Sequence, residues 1–161
     1  MALEKKIVEI LAADARRTPA QVAAMLGEDE KVVKATIRKM EDDGKIVKYT
    51  AIVAGDEEDG VVEALIEVKV TPKKGEGFDG IARDIAAMDE VKGVYLMSGA
   101  YDLAIFLEGT TLQKVAQFVS ERISTFDGVL STATHFILKK YKIEGVVTEK
   151  APKDNRLSIQ P

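Results

Sequence analysis

Two groups of residues in this chain have types and spacings that could do chemistry. Ser98-Gly99-Ala100-Tyr101-Asp102 brings a glycine, a phenol and a carboxylate into one short reversal between two strongly apolar runs. Such a turn between core strands is a candidate small-molecule site, although turns also favour Gly and Asp for backbone reasons alone. The second group is Lys31, Lys34, Ala35 and Arg38. At 100° per residue these share one side of a helix, opposite Val33 and Ile37. Cations around a small residue suit a helix lying in a DNA major groove: the cations reach phosphate or guanine, and the alanine lets the backbone come close. A solvated bundle face has the same look, so the elements that carry these residues decide between the readings.

The N-terminal third predicts three short helices. Leu3, Ile7, Ile10 and Leu11 recur at helical spacing, and that helix should end near Asp14. Thr18-Pro19 opens a second helix with Thr as cap, Pro in the first turn and Gln21 completing a capping box. Val22, Met25 and Leu26 form its apolar face, and Gly27 ends it in the left-handed conformation. A third helix starts at the acids Glu28-Asp29-Glu30, buries Val33, Ile37 and Met40, and stops at Gly44. Three helices with a glycine turn before the third outline a helix-turn-helix, over residues 1–45. Residues 46–54 alternate in a β-rich composition and predict a wing or connecting strand, and Gly55–Gly60 is an acidic linker.

From residue 61 the order changes. Val61–Val70, Val91–Met97, Asp102–Leu107 and Val129–Tyr141 predict strands, whereas Phe78–Met88 and Leu112–Phe126 predict helices. This βαββαβ order is the ferredoxin-like split unit, with both helices on one face of a four-stranded antiparallel sheet. The fold class is therefore α+β, a helix-turn-helix followed by a ferredoxin-like module over 61–141. The open sheet face and edge strands of such a module favour dimerisation. Residues 142–161, with Pro152 and Pro161, read as an extended tail.

Composition narrows the functions. In 161 residues there is no Cys and one His, which leaves no thiolate metal site and argues against imidazole-rich metal sites and His-dependent triads. No apolar run approaches the roughly 20 residues of a membrane span. The N-terminus lacks a signal peptide's apolar core, so a reducing cytoplasm is the expected compartment. Residues 55–141 are acidic while residues 1–54 are near neutral, which fits two modules with different partners.

Four local stretches resemble the Lrp/AsnC family of prokaryotic transcription regulators, over about residues 3–141. Ile10-Leu11-Ala12-Ala13-Asp14-Ala15-Arg16 is similar to the family's end of helix one, and Glu41-Asp42-Asp43-Gly44-Lys45-Ile46 to its Leu-Glu-x-x-Gly-x-Ile. Glu90-Val91 followed by Ser98–Asp102 resembles its Glu-Val and Gly-x-Tyr-Asp stretch. Gly128-Val129-Leu130-Ser131-Thr132-Ala133-Thr134 resembles its Gly-Val-x-x-Thr-x-Thr. The chain departs from the pattern at Glu28-Asp29, where the family has Leu-Ser, and at Thr36, where it has Arg; the Asp that usually starts helix one is absent.

The resemblance implies a winged helix-turn-helix joined to an ACT-like (RAM) sensing module. It implies no cofactor, no metal site and no catalytic residue. It also implies dimers that assemble further, often to octamers, on a pseudo-palindromic double-stranded DNA site. Lys31, Lys34, Ala35, Arg38 and Lys39 would meet the DNA. An amino acid or related metabolite would bind at Ser98, Gly99, Ala100, Tyr101 and Asp102 with Thr132 and Thr134. Gly99 would then let an effector carboxylate reach a backbone amide, Asp102 would meet an α-ammonium group, and the two threonines would offer hydroxyls from one strand face. Two alternatives stand beside this one. One is a sensor or assembly protein that does not bind DNA. The other is an enzyme on the same frame, such as a tetrapyrrole decarboxylase, for which His135 is the one imidazole available.

Overall fold

The computed structural model describes residues 2–53 and 60–148. They fall into two compact units, one ending at Ile52 and one beginning at Val53. The predicted acidic linker, from Gly55 to Asp59, and the tail beyond Thr148 lie outside the described residues.

The first unit is three helices, α1 (Leu3–Ala13), α2 (Pro19–Leu26) and α3 (Glu30–Asp42). The local signals operate as their chemistry dictates. Thr18 accepts from the Gln21 amide at 3.3 Å and Gln21 Oε1 accepts from the Thr18 amide at 2.9 Å, a complete capping box. Gly27 ends α2 at φ 69°, and Asp29 caps α3 by accepting from the Lys31 amide at 2.7 Å. Ile7, Val22, Val33 and Met40 are buried at the centre. Met25 is not part of this core; it is 58% exposed, and Ala23 takes the buried place beside Val22. A second expectation also fails. Residues 46–53 form no strand, because a strand exists only with a ladder partner and this segment finds none among the described residues.

Lys45, just past α3, donates to Glu4 Oε2 at 2.6 Å and so ties the end of α3 to the start of α1. That hydrogen bond, then the charge of Lys45, holds the Glu4 carboxyl below its ordinary range. A carboxylate lowered in the folded state stabilises above its unfolded pKa and stops doing so as pH falls through the folded value. Glu4→Gln is therefore expected to melt slightly earlier than the native chain at neutral pH, with the difference vanishing in strong acid. Thermal melts at both pH values check this.

The second unit is built on β1 (Val62–Val70), α4 (Asp79–Ala86), β2 (Val91–Leu96), β3 (Leu103–Gly109), α5 (Leu112–Phe118) and β4 (Val129–Phe136). The sheet order is β2-β3-β1-β4, all antiparallel. Along β1, Ala64, Ile66, Val68 and Val70 are buried against Ile85 of α4 and Val115 of α5, together with Leu103, Ile105 and Leu107 of β3. The intervening Leu65, Glu67 and Lys69 face the other side. Alternation alone sorts the two faces.

Three expectations need correcting here. The last helix is α-helical only to Phe118 and continues as a π-helical turn, Val119–Ile123, which buries Val119 and Ile123. The last strand stops at Phe136 rather than Tyr141: its ladder with β1 ends at Ala64↔Phe136, followed by one bond from the Ile137 amide to the Glu63 carbonyl at 2.9 Å. The tail is not simply extended: β5 (Lys142–Ile143) and β6 (Val146–Val147) form a hairpin around Glu144 and Gly145, both at positive φ as a type I′ turn requires. Thr148 closes it, buried, donating through Oγ1 to the Lys140 carbonyl at 2.7 Å.

Candidate nucleic-acid interface and effector site

In α3 the buried stripe Val33, Ile37 and Met40 turns Lys31, Lys34, Ala35, Arg38 and Lys39 outward, and all five are exposed. Among the described residues none of Lys31, Lys34 or Arg38 has a carboxylate within 4.0 Å. Their charges are thus available to an external anion. The acids of this region sit at the ends of the helix, Glu28 to Glu30 at one and Glu41 to Asp43 at the other. Glu41 is engaged: Tyr49 donates to its Oε1 at 2.8 Å. Partial burial, then this hydrogen bond, pushes the Tyr49 phenol above its ordinary range. The middle turns of α3 therefore present Lys34 and Arg38 with no carboxylate partner among the described residues. Sequence reasoning passed over Val32, which is 47% exposed on this same helix. An apolar residue outside the buried stripe was the available signal.

The Ser98–Asp102 segment is the tip of the β2–β3 hairpin. The Met97 amide donates to the Asp102 carbonyl at 2.8 Å and closes the loop. Ser98, Gly99 and Ala100 are exposed, whereas Tyr101 and Asp102 are half-buried. Asp102 has a structural task that no sequence pattern announces. Its amide donates to the Val68 carbonyl at 3.0 Å, and its Oδ2 accepts from the Val70 amide at 2.9 Å. The β1–β3 ladder ends at Val68↔Leu103, so the carboxylate supplies the next rung. Among the described residues Oδ1 has no partner. Gly99 is not in the left-handed region, and a Cβ added there would meet nothing within 4 Å. Nothing in the packing of the described residues demands a glycine at that position.

Thr132 and Thr134 do share one face of β4, and His135 is on the other, as alternation requires. The pairings Val68↔Thr132 and Ile66↔Thr134 put the threonines on the helix-covered side. Thr132 Oγ1 lies 3.2 Å from Ser124 Oγ at the end of the π-helical turn. His135 sits on the open face, 3.6 Å from Glu67. Leu103 and Thr132 flank Val68 from opposite sides, roughly 10 Å apart across β1. The hairpin tip and Thr132 therefore belong to one end of the sheet, and Thr134 lies two residues further in.

The open face carries its own concavity, of about 700 Å³, lined by Gly93, Tyr95 and Phe106 and by Ile137, Tyr141 and Lys142 beyond β4. Tyr95 and Phe106 stack edge to face at 5.7 Å. A Cβ on Gly93 would come within 3.0 Å of the Tyr95 ring, so glycine there makes room for that ring. None of the candidate effector residues lines this concavity. Among the described residues no cluster of three or more His, Cys, Asp or Glu could hold a metal, and no helix is long and apolar enough to cross a membrane.

A helix-turn-helix with an outward cationic third helix, joined to a ferredoxin-like module, defines a two-module DNA-binding regulator. Comparison with known proteins agrees over both modules. A winged helix-turn-helix DNA-binding family matches residues 2–47, and the Lrp/AsnC ligand binding domain matches residues 63–147. The uncharacterized HTH-type transcriptional regulator YugG of Bacillus subtilis is 45% identical over 160 residues, 98% of this chain and 96% of the relative. PH1692 of Pyrococcus horikoshii, also an HTH-type transcriptional regulator, is 31% identical over 88% of this chain and 93% of its own. The solved structure of Escherichia coli AsnC superposes with a TM-score of 0.66 at 22% identity, covering 88% of this chain and 93% of that one. A Neisseria meningitidis transcriptional regulator solved as an L-Met complex gives 0.69 at 19% identity, covering 89% and 93%. The chain belongs to the Lrp/AsnC family of transcription regulators.

Proposed function

We propose that this regulator binds an amino acid or a close metabolite at the tip of the β2–β3 hairpin and thereby changes how its helix-turn-helix heads engage DNA. The observation that carries the effector site is Gly99. The fold itself does not require glycine at that exposed position, whereas a ligand that must reach the loop backbone does. Ser98, Ala100 and Tyr101 offer further loop contacts, Oδ1 of Asp102, which has no partner among the described residues, suits an α-ammonium group, and Thr132 stands at the same end of the sheet with Thr134 two residues further in. The L-Met complex of the Neisseria relative supports an amino acid as the ligand class.

DNA contact falls to Lys31, Lys34, Ala35, Arg38 and Lys39. The protein acts as a homo-oligomer, a dimer that assembles further towards an octamer. The open sheet face, with Leu65, Tyr95 and Phe106 outward, is the apolar surface that pairing would cover. Twofold symmetry then calls for a pseudo-palindromic site. No residue is assigned a catalytic role, no cofactor is required, and the cytoplasm is the compartment that fits a DNA-bound regulator.

Mobility shift on the DNA upstream of the protein's own gene, at several salt concentrations and with a panel of amino acids, tests this reading. The expected result is a salt-sensitive complex that one amino acid strengthens or weakens by about 5- to 150-fold, the usual span of coupling between sites. Absence of any complex at low salt overturns the DNA assignment. A complex indifferent to every amino acid overturns the effector class.

A further inference from the structure

The exposed side of α3 is not uniformly polar. Going round the helix, Lys34, Arg38 and Lys31 form one flank, whereas Ala35, Val32 and Thr36 form the other, with Lys39 among them. Val32 is 47% exposed, although a β-branched residue is a weaker helix former than the Lys, Glu or Gln that would suit a merely solvated position. The Thr36 hydroxyl donates to the Val32 carbonyl at 2.8 Å, so its proton is used within the helix. The first two turns of α3 thus offer methyl groups beside a row of cations that have no carboxylate partner among the described residues. A recognition helix sets its N-terminal residues against base edges, and the apolar group a base edge presents in the major groove is the thymine C5-methyl.

We propose that Val32, with Ala35 and Thr36 beside it, reads thymine C5-methyl groups in the major groove, and so determines sequence where the neighbouring cations only position the helix. This rests on α3 being the DNA-contacting helix. The operator half-site then carries thymine under the first two turns of α3, and Lys31, Lys34 and Arg38 hold the register through phosphates.

The test uses the intact protein and the duplex it selects from a random pool. Each thymine is replaced in turn by 2′-deoxyuridine, which removes only the methyl. One or two positions per half-site are expected to lose about three- to five-fold in affinity, the worth of one buried methyl, with the others unchanged. Val32→Ala, which acts at both half-sites of a dimer, should weaken binding to the selected duplex by about 10- to 25-fold, lose the thymine-over-uracil preference at those positions, and keep the native salt dependence. A melting temperature for Val32→Ala equal to or slightly above that of the native chain confirms that folding is untouched, since Ala is the better helix former. The proposal is overturned if no thymine replacement matters, or if Val32→Ala retains the full preference. Recovery of no duplex at low salt would remove the DNA reading together with this one, whereas binding without methyl dependence removes this one alone.

Discussion

Replacing Lys34 and Arg38 together with Ala is expected to lower DNA affinity on the order of 100-fold at moderate salt and to flatten its salt dependence. The estimate takes a dimer on two half-sites, which loses four cation contacts at about 0.7 kcal/mol each, within the range of exposed ion pairs. The same loss lowers the slope of log K against log salt by roughly 3 to 4. Folding should not suffer. Both side chains are exposed, and among the described residues neither has a carboxylate within 4.0 Å, so no internal contact is lost. Fluorescence anisotropy across a salt series, with thermal melts as control, reads both quantities. An unchanged slope would remove α3 from the DNA interface. Arg38→Lys sharpens the result: a phosphate contact survives the exchange nearly intact, whereas a bidentate guanine contact does not.

How much of this was legible in the sequence follows from which interactions are local. The capping box of Thr18 and Gln21, the left-handed Gly27 and the Val33–Ile37–Met40 stripe involve neighbours along the chain, and all three appear as spacing predicts. The βαββαβ order is legible for the same reason, since each element announces itself by its own period. Pairing is different. Residues 46–53 have a strand's composition without a ladder partner among the described residues, and β4 ends where its ladder with β1 ends, at Ala64↔Phe136, rather than where its apolar run does. Met25 has helical spacing to Val22, yet the small Ala23 fills the core there, and a reading weighted to large side chains overlooks it. The β5–β6 hairpin was readable in principle, because Glu144-Gly145 separates Ile143 from Val146-Val147 at a two-residue spacing. For the candidate sites, the outward cations of α3 came from periodicity. The bond from the Val70 amide to Asp102 could not, because it joins residues 32 apart in sequence.

That bond decides how the effector site has to be tested. Asp102→Ala removes the acceptor of a partly buried amide, so it should cost about 1–3 kcal/mol of folding stability whatever Asp102 does for a ligand. Lost effector response in that variant would be ambiguous. Asp102→Asn keeps a carbonyl oxygen for the Val70 amide and removes only the charge, so its melting temperature should stay near native. If Asp102 meets an α-ammonium group, effector affinity in Asp102→Asn should fall by about 10- to 100-fold, the loss of one charge-assisted hydrogen bond, while DNA binding without effector is retained. Gly99→Ala makes the complementary case. A Cβ there touches none of the described residues, so stability should hold or rise by about 0.4–1 kcal/mol through the unfolded state, yet the methyl would stand in the path of a ligand approaching the loop amides. Calorimetric titration with the responsive amino acid, beside melts of all three variants, separates the roles. Native effector affinity in both Asp102→Asn and Gly99→Ala would leave Ser98–Asp102 as a structural hairpin tip and move the sensing site elsewhere on the module. Loss in both, with folding intact, would place charge recognition and backbone approach in the same five-residue loop, where one carboxylate oxygen holds β1 and the other is left for the ligand.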